Sequence, residues 1–144
     1  MINKVTWVSQ EVAENLIGTE DKILISICTP GLITKIEKHR WADILALQFD
    51  DATPEARVSD IFIDRENVLF TNTHAKKIVA FIKKHHVSET YRDLFVHCYA
   101  GLSRSTGVSK ACIEYLQLQQ ERPAKFNTHV YKILRANFND ALRL

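Results

Sequence analysis

Apolar residues along the chain fall into short strand-like runs and longer stretches of helical periodicity. Runs of apolar residues without polar alternation predict β-strands that are buried on both faces. Such runs span Lys22–Cys28, Ile44–Phe49 and Leu94–His97. The stretch from Lys4 to Ser9 alternates instead, with Val5 and Trp7 on one face, and this pattern predicts an edge strand.

Apolar residues at helical spacing separate these strands. The pattern predicts four helices. The first spans residues 10–17, the second runs from residue 71 or 72 to 86, the third contains residues 108–116, and the fourth begins after a cap at Asn127 or Thr128. Residues 32–40 predict a short helix or helical turn. The segment from Glu55 to Phe70 has no clear pattern. Alternating strands and helices predict an α/β fold, with a mainly parallel sheet of four to five strands flanked by helices.

Length and composition narrow the class of protein. A chain of 144 residues, 46% of them hydrophobic, predicts one domain with a substantial core, spanning residues 1–144. The net charge of +2 comes from well-mixed acids and bases, which argues against a nucleic-acid partner. No apolar run is long enough to span a membrane, and no signal pattern is visible.

The cysteines and histidines indicate neither a disulfide scaffold nor a metal site. Three cysteines are few and odd in number, and the six histidines are scattered without metal-ligand spacing. We therefore expect a protein of the reducing cytoplasm, without a metal or cofactor.

The most informative segment follows the strand that ends near Cys98. It reads HCYAGLSRSTGV from His97 to Val108, and a helical pattern begins near Arg104. The first backbone N–H groups of a helix have no partner within the helix, and the helix dipole favours a negative charge there. A curled loop between Cys98 and Arg104 would direct its amides, the sulfur and the guanidinium at one point.

These residue types suit covalent phosphoryl transfer. An arginine and a helix N-terminus lower a thiol's pKa from roughly 8.5 toward about 3.5–7.5, and the resulting thiolate is a strong nucleophile. The planar fork of Arg104 matches two phosphate oxygens, and Ser105 could hydrogen-bond the sulfur. The plainer interpretation is that Cys98 is a small buried apolar residue.

The segment resembles the His-Cys-x5-Arg-Ser/Thr signature of the protein tyrosine phosphatase superfamily, and it is most similar to the short dual-specificity type. The resemblance implies a fold like that of phosphotyrosine protein phosphatase II, with Cys98 as nucleophile and Arg104 as phosphate clamp. It also implies that Ser105 assists catalysis and that the loop binds the substrate phosphate, or a phosphate or sulfate ion. The implied binding residues are Tyr99, Ala100, Gly101, Leu102, Ser103 and Arg104.

Cleavage of a phosphoester also needs a proton donor for the departing oxygen. In phosphatases of this type the donor is an aspartate on a loop after an upstream strand, and the tract LQFDDAT resembles that element. We favour Asp51, while Asp50 stays an alternative. Asp51 precedes Cys98 by 47 positions, which is long for a compact member and leaves Asp60 and Asp64 as further candidates. The other interpretation of the Asp50-Asp51 pair is turn and capping chemistry.

Members of this superfamily that act on inositol or RNA phosphates tend to carry extra basic residues in or near this loop. The interior of the loop here contains no lysine or arginine, so the resemblance implies a phosphoprotein substrate. Phosphotyrosine is the simplest substrate, with phosphoserine and phosphothreonine left open. Two alternatives compete with a phosphatase. One is a phosphate-binding interaction module of weak activity, and the other is a different thiolate enzyme, such as an arsenate reductase.

Overall fold

A computed structural model describes residues 1–54 and 68–142 of the chain. The strands are β1 (Ile2–Ser9), β2 (Lys22–Cys28), β3 (Asp43–Gln48) and β4 (Arg92–Cys98), and the helices are α1 (Gln10–Asn15), α2 (Asn72–His86), α3 (Arg104–Leu116) and α4 (Thr128–Leu142). None of the helices in the described part of the chain is long and apolar enough to cross a membrane.

The four strands form one sheet in the order β1-β4-β2-β3, and every neighbouring pair is parallel. The predicted α/β fold with a mainly parallel sheet is therefore confirmed, as is the edge position of β1. β2 and β4 are central, which explains their continuous apolar runs. The prediction that β3 is buried is wrong, because β3 is the second edge strand and only Leu47 within it is buried.

Three helices cover one face of the sheet. Alternate residues of the central strands, Ile23 and Ile25 of β2 and Leu94 and Val96 of β4, join side chains of α2, α3 and α4 in one core. On the opposite face, Trp41 packs edge-on against Phe95, with ring centroids 5.7 Å apart. The central strands are thus shielded from water on both faces, as strands of a parallel sheet commonly are.

One connection differs from the sequence pattern. Residues 32–40 hold only a short 3-10 turn at Lys38–Arg40, so the expected helical segment is shorter than predicted. Asp60 and Asp64 lie outside the described residues.

Because the strands are parallel, their carboxyl ends meet at one edge of the sheet, where ligands bind in open α/β folds. Ser9, Cys28, Gln48 and Cys98 end the four strands there. The residues that follow these strand ends build the candidate site.

Candidate active site

The Cys98 sulfur lies at the centre of the loop that joins β4 to α3. The backbone N–H of Gly101 donates a hydrogen bond to Sγ at 3.2 Å, and Ser105 Oγ lies 3.2 Å from Sγ. The cysteine is 2% exposed. The loop therefore curls around the sulfur, with donors directed at it.

Burial would raise the pKa of Cys98, since it disfavours the charged thiolate. The hydroxyl and amide of Ser105, the charge of Arg104 and the amide of Ser103 outweigh that effect and hold the pKa below its ordinary value. Hydrogen bonds to the charged form are the largest of the stabilising causes. The site thus favours a nucleophilic thiolate.

The curl of the loop depends on Gly101. Its φ of +76° lies in the left-handed region, which L-residues with a side chain rarely adopt. A Cβ at this position would lie 2.7 Å from the backbone N of Ser9 and 2.8 Å from the carbonyl O of Val8, so the end of β1 leaves no room for one. The N–H of Gln10 also donates to the carbonyl of Tyr99 at 3.0 Å. The end of β1 and the start of α1 therefore hold the loop in place.

Arg104 is 5% exposed and is held by the ends of two neighbouring strands. Its Nη1 donates to Thr29 Oγ1 at 3.1 Å and to the carbonyl of Phe49 at 2.9 Å. Its Nε is buried and meets no hydrogen-bond partner among the residues that the structure describes. A buried guanidinium N–H without a partner is costly, and a phosphate oxygen would satisfy it.

His97 is fully buried next to Cys98, and its ring hydrogen-bonds the backbone carbonyl rather than the sulfur. Its Nδ1 lies 3.2 Å from the Cys98 carbonyl, which can only accept, so Nδ1 carries the proton. Nε2 therefore accepts from the Ser26 hydroxyl at 2.6 Å. Burial lowers the pKa of His97, which keeps the ring neutral in this arrangement.

The two candidate acids after β3 occupy different positions. Asp51 Oδ1 accepts hydrogen bonds from Ser103 Oγ at 2.7 Å and from Asn127 Nδ2 at 3.0 Å, so its carboxylate lies against the loop that holds Cys98. The buried Asp50 carboxylate instead accepts from the backbone N–H of Val68 at 2.6 Å. The structure thus brings Asp51 to the loop, whereas Asp50 is hydrogen-bonded to the backbone of Val68.

The outer side of the loop is open to solvent. Tyr99 and Leu102 are each 70% exposed, and Ala100 between them is exposed as well. They can form the walls that a substrate contacts, while Gly101 and Arg104 lie buried beneath. Within residues 1–54 and 68–142, no three His, Cys, Asp or Glu side chains form a group that could hold a metal ion.

Sequence reasoning missed three residues of the site. Thr29 holds the arginine, Ser26 holds His97, and Asn127, expected only as a possible helix cap, also contacts Asp51. For Thr29 and Ser26, the only indication in the sequence was their position near the end of β2, a strand that is parallel to β4.

Comparisons with solved structures identify proteins that share this fold. No protein-family model matches the sequence, and no curated protein matches it. Among solved structures, Tk-PTP in its active form matches with 14% identity and a TM-score of 0.55, over 95% of this chain and 92% of that chain. PTPMT1 in complex with PI(5)P matches with 13% identity and a TM-score of 0.54, over 97% of this chain and 93% of that chain. Both belong to the protein tyrosine phosphatase superfamily, and this chain therefore has the protein tyrosine phosphatase fold.

Proposed function

We propose that the protein is a cysteine-dependent phosphatase that hydrolyses phosphotyrosine in proteins, with phosphoserine and phosphothreonine as further substrates. The observation that carries the proposal is the buried pair that flanks the loop between β4 and α3, Cys98 and Arg104. Cys98 has a lowered pKa, and the nearby Arg104 keeps a buried Nε without a protein partner in the described chain. A nucleophile and a phosphate-binding cation thus share one loop.

In the first step, the Cys98 thiolate attacks phosphorus and forms an S–P bond, while the bond from phosphorus to the ester oxygen breaks. Arg104 and the loop amides bind the non-bridging oxygens and stabilise the charge that spreads over them. The carboxyl of Asp51 donates its proton to the departing oxygen, which leaves as an alcohol or phenol.

In the second step, water attacks the phosphocysteine and loses its proton to the Asp51 carboxylate. The S–P bond breaks, inorganic phosphate forms, and the thiolate of Cys98 is restored. Ser105 Oγ, 3.2 Å from the sulfur, donates a hydrogen bond to the departing thiolate. The cycle therefore returns every group to its starting protonation state.

The surroundings of the loop support a phosphoprotein substrate. The stretch from Tyr99 to Ser103 carries no basic side chain, so it offers no extra charge for a polyphosphorylated small molecule. Tyr99 and Leu102 project as exposed apolar walls, which suits the aromatic ring of phosphotyrosine.

The first test is hydrolysis of p-nitrophenyl phosphate in the presence of a chelator, with Cys98→Ser as the nucleophile variant. We expect sustained turnover by the wild type and none by the variant, which should still bind vanadate or phosphate. Arg104→Lys should lose most of that binding, because lysine cannot form the bidentate contact. Turnover retained by Cys98→Ser would refute the proposal.

Two other results would favour the alternatives. Binding of phosphopeptides without turnover would indicate an interaction module, and arsenate-dependent thiol oxidation would indicate an arsenate reductase.

A panel of phosphotyrosine, phosphoserine and phosphothreonine peptides then tests the substrate class, with the highest kcat/KM expected for phosphotyrosine.

A further inference from the structure

Asn127 connects three segments that the proposed reaction needs to hold together. Its backbone N–H donates to the Ser103 carbonyl at 3.0 Å, and its side-chain Oδ1 accepts from the Val130 N–H at 3.1 Å at the start of α4. Its Nδ2 donates to Asp51 Oδ1 at 3.0 Å and to the Ala52 carbonyl at 3.2 Å. The residue is 5% exposed, so water does not compete strongly for these bonds.

The helix cap determines which end of the Asn127 amide faces the aspartate. The Val130 N–H can only donate, so it requires the oxygen of the Asn127 amide. The NH₂ group is thereby turned toward Asp51 and Ala52, where both partners are acceptors. The side-chain orientation is thus settled by its partners on both sides.

The two donors at Asp51 also distinguish its two carboxyl oxygens. Ser103 Oγ and Asn127 Nδ2 both direct hydrogens at Oδ1, and together they occupy its two lone pairs. Neither of these hydrogen bonds uses Oδ2. A proton on this carboxyl is therefore carried by Oδ2, the oxygen that neither donor contacts.

We propose that Asn127 is a positioning residue for the general acid: it holds Oδ1 of Asp51 as an acceptor and so presents the proton on Oδ2 to the departing oxygen. The inference rests on the proposed function, in which Asp51 is that acid. Because Asn127 is also bonded to the Ser103 carbonyl, the same residue sets the distance between the acid and the loop that binds phosphate.

The close approach of α3 to α4 makes this arrangement possible. A Cβ on Gly107 of α3 would lie 2.9 Å from the Asn127 carbonyl and 3.2 Å from side-chain atoms of Val130. A glycine at that position therefore lets the start of α4 reach the loop and the acid together.

The test compares kcat/KM for a series of aryl phosphates, ordered by the acidity of their leaving groups, in the wild type and in Asn127→Ser. Serine keeps an oxygen that can accept from the Val130 N–H, but it lacks the Nδ2 group that reaches Asp51. We expect kcat/KM to fall about 3- to 10-fold for the poorest leaving group, the size of one lost hydrogen bond, and to change little for the best. Alkylation of Cys98 should be unchanged.

Asn127→Ala supplies the structural control, since it removes the cap as well. It should show the same leaving-group dependence as Asn127→Ser but a lower Tm. Loss of activity by Asn127→Ser that is equal for all leaving groups would overturn the proposal, because a merely structural role lowers every rate alike.

Asp51→Asn separates this inference from the proposed function. If Asp51→Asn leaves the leaving-group dependence unaltered, Asp51 is not the acid and both proposals about it are wrong. If Asp51→Asn steepens the dependence, the double variant with Asn127→Ser should show no further loss. Independent, multiplying losses in the double variant would overturn the positioning role and leave the acid role intact.

Discussion

Replacement of Ser105 by alanine tests the electrostatic basis of the site. Ser105 is fully buried, and its Oγ lies 3.2 Å from the Cys98 sulfur. A hydrogen bond to a charged group contributes about 1.5–3 kcal/mol. Its loss therefore shifts the ionisation equilibrium of Cys98 about 10- to 100-fold toward the neutral thiol.

The rate of alkylation responds to two opposing effects of this change. A smaller thiolate fraction slows the reaction at low pH, but the intrinsic nucleophilicity of a thiolate rises with its pKa, with a Brønsted slope of about 0.4–0.5. In Ser105→Ala we thus expect alkylation about 3- to 16-fold slower at low pH, and about 2.5- to 10-fold faster at a pH where both thiols are fully ionised. The two rate profiles should cross.

The assay is the rate of iodoacetamide labelling of Cys98 as a function of pH, with Cys98→Ser to identify the signal. Ser109→Ala is the matched control, because Ser109 is buried one turn further along α3 and its Oγ has no hydrogen-bond partner among the described residues. Its profile should coincide with that of the wild type. If the Ser105→Ala profile coincides as well, the hydrogen bond does not stabilise the thiolate and the reasoning is refuted.

Two further predictions concern stability. Gly101→Ala should cost more than the roughly 1–2 kcal/mol of a left-handed residue, because its Cβ would also meet the end of β1, and vanadate binding should be lost. Urea unfolding measures the loss in free energy of unfolding, with Gly31→Ala as the control. Gly31 has φ +88°, but nothing lies within 4 Å of the added Cβ. An equal loss of free energy in the two variants would contradict the clash at Gly101. Burial raises the pKa of Glu114, but hydrogen bonds from Lys110 and Tyr131 outweigh it and leave the pKa below its ordinary value. A carboxyl whose pKa is lowered in the native state stabilises the fold at neutral pH, and this contribution is lost in acid. Glu114→Gln should therefore lower the free energy of unfolding at pH 7, and its difference from the wild type should shrink as the pH falls. A difference that does not change with pH would contradict this prediction.

The loop around Cys98 could be predicted from the sequence because it is local. Cys98 and Arg104 are six positions apart in one strand–loop–helix unit, and the apolar run before them and the helical pattern after them define that unit. The loop also contains a glycine, Gly101, whose backbone is left-handed in the structure. The spacing of apolar residues also predicted the parallel α/β architecture, because each segment's own spacing indicates whether it is a strand or a helix and which of its faces is buried.

The partners of these groups were decided only by tertiary packing. Thr29 and the Phe49 carbonyl reach Arg104 because β2, β3 and β4 end at the same edge in a register that no local pattern specifies. The choice between Asp50 and Asp51 likewise rests on which carboxylate faces the loop.

Asn127 has one contact that the local sequence predicts and one that depends on tertiary packing. Its sequence position predicted a helix cap, a role set by the residues that follow it within one turn. Its contact with Asp51, 76 positions away, exists only because α4 packs closely on α3 at Gly107. Short-range order follows from local sequence, whereas contacts between distant segments depend on the packing of the whole core.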